Sequence, residues 1–215
     1  MMQRQPPRDG GEMIMEEEKV EQPVFAWYTD AEVDEYYECP FKKVIFLDID
    51  GVLNVEEEAL ETGVKVDPEK VKLLKMIVDE TGADIILSSS WKRGYKNFVE
   101  DGFQAKDPNF KLLYDLLAAE GLKISGITPI SHESGPVARP LEIREWLARF
   151  YTVFSYVILD DDTFWEWGFL QRNVVTTITD RPRDGFEHWY WTGMTMEHAL
   201  KAIEILNDVG AVKLR

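Results

Sequence analysis

Val44-Ile45-Phe46-Leu47-Asp48-Ile49-Asp50-Gly51-Val52-Leu53-Asn54 joins a four-residue apolar run to two carboxylates and a glycine. The run has the length of a buried strand, and Gly51 supplies the sharp turn that ends it. Read alone, Asp-x-Asp-Gly is an ordinary turn-capping loop. Directly after an apolar strand it becomes a candidate reaction centre. One carboxylate can attack an electrophile while the other gives and takes a proton, and the pair can hold a hard divalent cation.

Four further apolar runs follow: Ile85–Leu87, Ile124–Ile127, Tyr156–Leu159 and Val174–Ile178. Segments of helical periodicity lie between them. Val71, Leu74, Ile77 and Val78 share one face behind Asp67 as N-cap and Pro68 in the first turn, and Gly82 closes that helix. Phe110, Leu113, Tyr114 and Leu117 form a second stripe before Gly121. Ile143, Trp146, Leu147 and Phe150 form a third behind Pro140. Met196, Ala199, Leu200 and Ile203 form the last, with Thr195 as N-cap. Strands alternating with amphipathic helices predict an α/β fold, a central parallel sheet covered on both faces. Ligands of such sheets bind beyond the carboxyl ends of the strands, so the residues following each run carry the functional reading.

The 215 residues suffice for one core plus a tail, and no apolar run approaches the roughly 20 residues that span a bilayer. A single cysteine, Cys39, and no apolar leader predict a reducing compartment, cytoplasmic or nuclear, without membrane association. The formal charge is −16, which disfavours broad contact with DNA or anionic lipid but not a small basic pocket. Residues 1–40 carry 11 acidic and 3 basic side chains, half of the excess charge in a fifth of the chain. Residues 1–22 are expected to be a disordered acidic tail. Residues 23–40, with Phe25, Trp27, Tyr28, Tyr36 and Tyr37 among acids, are expected to be an extension packed loosely on the domain or an interaction segment. The domain itself is expected over 41–215.

Leu87 is followed by Ser88-Ser89-Ser90-Trp91-Lys92-Arg93, hydroxyls and amides that suit either a helix cap or a phosphate oxygen. Leu159 is followed by Asp160-Asp161-Asp162, three acids whose mutual repulsion requires exposure or a cation. Arg139, ahead of Pro140, is placed to neutralise both these acids and a bound phosphate. Lys92, Arg93 and Lys96 are candidates for steering a phosphate backbone. Trp165, Trp167, Trp189, Tyr190 and Trp191 are candidates either for base stacking or for core packing. His132, His188 and His198 have no ligand spacing, and His198 reads as a structural residue at a helix start.

Taken together, Asp48/Asp50, Ser88, Arg139 and Asp160/Asp161 resemble, in order, the motifs of the haloacid dehalogenase (HAD) superfamily. The wording of Phe46–Asn54, Leu87–Trp91, Glu142-Ile143 with Trp146-Leu147, Val157–Asp162 and Thr192–Thr195 with His198-Ala199 is similar to a capless branch, the HAD domain of Swiss Army Knife RNA repair proteins. The resemblance covers about residues 43–207. It implies a Rossmann-like three-layer α/β/α sandwich without a large cap domain. The implied activity is a Mg²⁺-dependent phosphatase working through an aspartyl-phosphate on Asp48, with Asp50 as proton shuttle. Ser88, Ser89 and Arg139 would bind the phosphate. Mg²⁺ would be held by Asp48, the Asp50 carbonyl and Asp161, with Asp160 as the alternative. Only about twelve residues (55–66) separate the first strand from its helix, room for a short flap. The implied site is therefore open to a phosphorylated substrate as large as a nucleic-acid end, or to a nucleotide. A protein phosphatase, or a non-catalytic module that binds through residues 23–40, is the alternative.

Overall fold

The structure, a computed structural model, describes residues 42–54, 66–104, 107–131, 138–150, 153–162, 165–179, 190–191 and 193–208. Five parallel strands form the central sheet: β1 (Lys43–Leu47), β2 (Asp84–Leu87), β3 (Ile124–Ile127), β4 (Ser155–Asp160) and β5 (Val174–Thr176), in the order β3-β2-β1-β4-β5. Among the described residues five α-helices accompany them: α1 (Pro68–Thr81), α2 (Lys92–Glu100), α3 (Pro108–Ala119), α4 (Ala138–Arg149) and α5 (Met196–Asn207). A 3₁₀ segment, Trp165–Asn173, precedes β5.

Alternation along β1 decides which layer each side chain joins. Ile45 and Leu47 face a core built with Val71, Leu74 and Ile77 of α1, Tyr95 and Phe98 of α2, Leu113 and Leu117 of α3, and Ala199, Ala202 and Leu206 of α5. Val44 and Phe46 face the other way, against Ile143 and Trp146 of α4 and against Trp167 and Leu170. Both faces of the sheet are therefore covered. The fold is the expected Rossmann-like three-layer α/β/α sandwich, and no second domain occurs among the described residues. No helix among them is long and apolar enough to cross a membrane.

Helix caps fall where the residue types require. Asp67 accepts from the Glu69 amide at 2.8 Å, and α1 closes at Gly82. Thr195 and His198 form a reciprocal capping box at the start of α5. His198 is thus structural, as its position suggested.

Four expectations need correction. The helix α5 turns Ala199, Ala202 and Leu206 inward and leaves Met196 and Leu200 exposed. The small alanines let its backbone approach α1 and β4 closely, which outweighs burial of the longer side chains. The run at 174–178 is not one strand. Thr177 ends the ladder, its amide still donating to Asp160 O at 3.0 Å and its hydroxyl to the Gly51 carbonyl at 2.6 Å, and Ile178–Thr179 pairs antiparallel with Tyr190–Trp191. Two helices rather than one lie between β2 and β3, because Lys92–Glu100 is helical in its own right. Helix α4 starts at Ala138, so Arg139 sits in its first turn instead of ahead of it. The expectations for residues 1–22 and 23–40, the flap at 55–65, His132 and His188, and the side chains of Trp165, Trp189, Tyr190 and Trp191 lie outside what is described.

Candidate active site

The strand order reverses between β1 and β4, the crevice where open parallel sheets accept ligands. The ladder continues one residue past several strands and holds the site's backbone in register. The Asp48 amide donates to Leu159 O at 3.0 Å, and the Ser88 amide donates to Leu47 O at 2.9 Å. Asp48, Ser88 and Asp160 thereby meet at one edge.

Asp48 is buried, with Oδ1 accepting from the Ile49 amide at 2.7 Å and Oδ2 accepting from Arg139 Nη1. The same Nη1 donates to Asp160 Oδ2 at 2.6 Å. Asp160 is the last residue of β4 and fully buried, and its Oδ1 accepts from the Asp162 amide at 2.9 Å. One carboxylate oxygen from each of Asp48, Asp160 and Asp161 lies within 4.8 Å of the others. Asp161 lies over Gly51, where an added Cβ would stand 2.5 Å from its Oδ2. Gly51 also has φ +68°, a left-handed conformation costly to other residues. Glycine is required there on both counts.

The electrostatics follow from burial. Desolvation raises Asp48 above the usual carboxylate range, although Arg139 opposes it. Desolvation, then the Asp48 charge, pushes Asp160 well up and Asp161 to about 7. Asp162 is raised by desolvation too. Burial works against the Arg139 charge, but Asp48 and Asp160 outweigh it and hold the guanidinium more firmly protonated. Among the described residues one guanidinium is bonded to this cluster of acids, so the described set is short of positive charge. Three converging carboxylate oxygens are the donor set of a hard divalent cation, and the residues present fit one.

Ser88 is buried, and its hydroxyl has no partner among the described residues. A buried hydroxyl left unpaired is costly, about 1–3 kcal/mol, unless something that binds there satisfies it. Ser89 is committed differently, hydrogen-bonding Asp48 and accepting from the Trp91 amide at 3.3 Å. Asp50 stands exposed at the mouth. Its Oδ1 accepts from Asn54 Nδ2 at 3.0 Å and its Oδ2 from Trp91 Nε1 at 2.9 Å, while Asn54 Oδ1 accepts from the Gly51 amide at 2.8 Å.

Two expected site residues are placed elsewhere. Lys92 is buried, with Nζ paired to Glu142 Oε2 and donating to Thr128 Oγ1 at 3.1 Å. It cannot steer a substrate from there. Burial lowers its pKa, Glu142 opposing. Glu142 Oε1 accepts from the Ser131 amide at 2.9 Å, so the pair pins α4, one turn past Arg139, to α2 and to the strand end after β3. Trp167 is buried in the core with Nε1 donating to Asp162 O at 3.3 Å, so it is unavailable to a base. Of the steering candidates, Arg93 is exposed and Lys96 pairs with Glu100 at 3.5 Å. Sequence reasoning missed the contacts of Trp91 and Asn54 with Asp50. The only signal was an Asn three residues after Asp-Gly, the spacing of a side-chain-closed turn.

A parallel α/β sheet with an acidic cluster, a guanidinium and an unpaired hydroxyl at its switch point defines the class of HAD-type domains. Residues 44–186 match the family described as the HAD domain in Swiss Army Knife RNA repair proteins, and the chain belongs to it. The family points to a hydrolase of phosphate esters in general. No curated protein and no solved structure matches the chain.

Proposed function

We propose that the protein is a divalent-cation-dependent phosphomonoesterase that works through an aspartyl-phosphate on Asp48. One observation carries the reading: Asp48, Arg139, Asp160 and Asp161 converge at one strand edge, where the Ser88 amide bonds the residue before Asp48 and the buried Ser88 hydroxyl has no partner among the described residues. A buried hydroxyl donor and a guanidinium at the same strand edge suit the oxygens of a phosphoryl group.

Asp48 Oδ forms a bond to phosphorus as the ester P–O bond breaks. Asp50, exposed at the mouth, gives a proton to the departing oxygen and then takes one from the water that cleaves the acyl phosphate, releasing inorganic phosphate. Ser88 and Arg139 bind the equatorial oxygens as charge redistributes on them. Asp161, with Asp48 and the Asp50 carbonyl, would hold Mg²⁺, with Asp160 as the alternative, since one oxygen of each of the three carboxylates lies within 4.8 Å of the others. The bound cation supplies charge that shields the anionic nucleophile from the anionic phosphate.

The family's description supports a phosphate at a nucleic-acid end, or on a nucleotide, as substrate. The fold supports it too, for the described residues include no cap domain over the site. The test is Mg²⁺-dependent phosphate release across nucleotides, 3′- and 5′-phosphorylated oligonucleotides and phosphopeptides. Oligonucleotide ends should be turned over best. Preference for phosphopeptides would favour the protein-phosphatase alternative, and no release from any of them would refute the enzyme reading.

A further inference from the structure

We infer that Trp91 is a positioning residue for Asp50: its indole N–H holds the carboxylate in the orientation from which it serves the leaving group. The inference rests on the phosphomonoesterase reading and adds a residue to it. Asp50 is exposed, and an exposed carboxylate on a loop ordinarily samples several rotamers. Here each oxygen has its own donor, Asn54 Nδ2 on Oδ1 and Trp91 Nε1 on Oδ2, at 3.0 and 2.9 Å. Asn54 belongs to the same turn and moves with it. Trp91 comes from a different layer of the molecule, 41 residues along the chain.

The indole is itself held from several sides. Trp91 caps α2, its carbonyl accepting from the Tyr95 amide at 2.9 Å. Its ring meets Phe110 of α3 edge-on, with centroids 5.7 Å apart and planes at 89°. Phe110 reaches that position because residue 94 is glycine, where any Cβ would collide with the Phe110 ring. Gly94, Phe110 and Trp91 thus form a rigid prop from α2 and α3 to the loop after β1. Indole nitrogen is a donor only, so the contact fixes Asp50 as the accepting partner. A proton shuttle already aimed at the leaving oxygen avoids a search for that geometry in each turnover.

The Trp91→Phe substitution keeps a ring on the Phe110 side and removes the N–H together with part of the indole's volume. Its melting temperature should lie within about 3 °C of the wild type. In the phosphorylation step, which kcat/KM reports, positioning of Asp50 matters only when the leaving group needs a proton. In the full-length chain with Mg²⁺, kcat/KM for an alkyl phosphate monoester should fall about 10–100-fold, less than the roughly 10²–10⁴-fold that a general acid contributes in full, because Asp50 itself is retained. For dinitrophenyl phosphate, whose leaving group departs unprotonated, kcat/KM should stay within about threefold of the wild type. Independently of activity, the Trp91 indole proton, assigned by its loss in Trp91→Phe, should move upfield in Asp50→Ala as its acceptor disappears. Equal losses with both esters, no loss with either, or an unmoved indole signal would overturn the inference. A wild-type protein inactive on both esters would refute the phosphatase reading instead, and the indole signal alone would then decide whether Trp91 holds Asp50.

Discussion

Gly51 couples the two acidic motifs of the site, because Asp161 lies where its side chain would otherwise stand. Replacing it with alanine imposes a left-handed backbone on an L-residue, at roughly 1–2 kcal/mol, and also displaces the Asp161 carboxylate. Calorimetric titration should therefore show Gly51→Ala and Asp161→Asn both weakening Mg²⁺ binding by tenfold or more. Asp162→Asn should lose much less, since Asp162 is outside the group of carboxylates whose oxygens converge. Equal losses at 161 and 162 would mean the cation sits elsewhere. These residues were legible because their chemistry is local: acids, a hydroxyl and an arginine directly after apolar strands. Trp91 was not, because a donor that acts across 41 residues leaves no mark in the spacing around Asp50. Lys92 was misread for a related reason. A lysine beside a serine cluster looks solvent-facing until the partner that buries it, Glu142, is brought near by the fold.

At the scale of the element, α5 shows how caps and faces differ in legibility. Thr195 was readable as an N-cap because capping is set by neighbours in sequence. The buried face was not, because alanine and leucine stripes overlap on one helix and the choice depends on how closely α1 and β4 approach. Similarly, the strand break at Thr177 depends on a hydrogen bond to Gly51, a contact no local pattern records. The capping box makes a pH prediction. His198 Nδ1 accepts from the Thr195 amide at 3.1 Å, so the ring must be unprotonated there. Burial lowers the His198 pKa, with Glu197 opposing and Lys201 and Lys70 adding to the effect. The unfolded chain then binds more protons than the folded one as pH falls past about 6.5, so the stabilisation is complete above that pH and lost below it. Breaking the box costs about 0.5–1 kcal/mol. In His198→Gln the amide can still accept at this position. Urea unfolding at pH 7.5 and 5.5 should show a smaller decrease for His198→Gln than for the wild type. Parallel decreases would remove His198 from the account.

At the scale of the molecule, the parallel sheet and its cover were readable from the alternation of apolar runs and helical stripes, and the strand order follows from adjacency of β1 with both β2 and β4. The charge distribution sets a separate expectation. An enzyme of net charge −16 repels an anionic substrate, and half of the excess lies in residues 1–40. Such repulsion acts on encounter and fades as salt shortens the screening length to about 10 Å near 0.1 M. Deleting residues 1–22, which carry little apolar surface, should leave the melting temperature unchanged. It should raise kcat/KM for a phosphorylated oligonucleotide at low salt, with the gain shrinking as salt rises. A clearly lower melting temperature would show that the segment contributes to folding. The central claim is that Asp48, held between Arg139 and the strand edge, is the nucleophile. Its most direct test is to react the protein with dinitrophenyl phosphate and Mg²⁺, quench in acid, reduce with borohydride and map the product by mass spectrometry. The account predicts homoserine at position 48 and none in Asp48→Asn; modification at any other residue, or none in the wild type while phosphate is released, would contradict it.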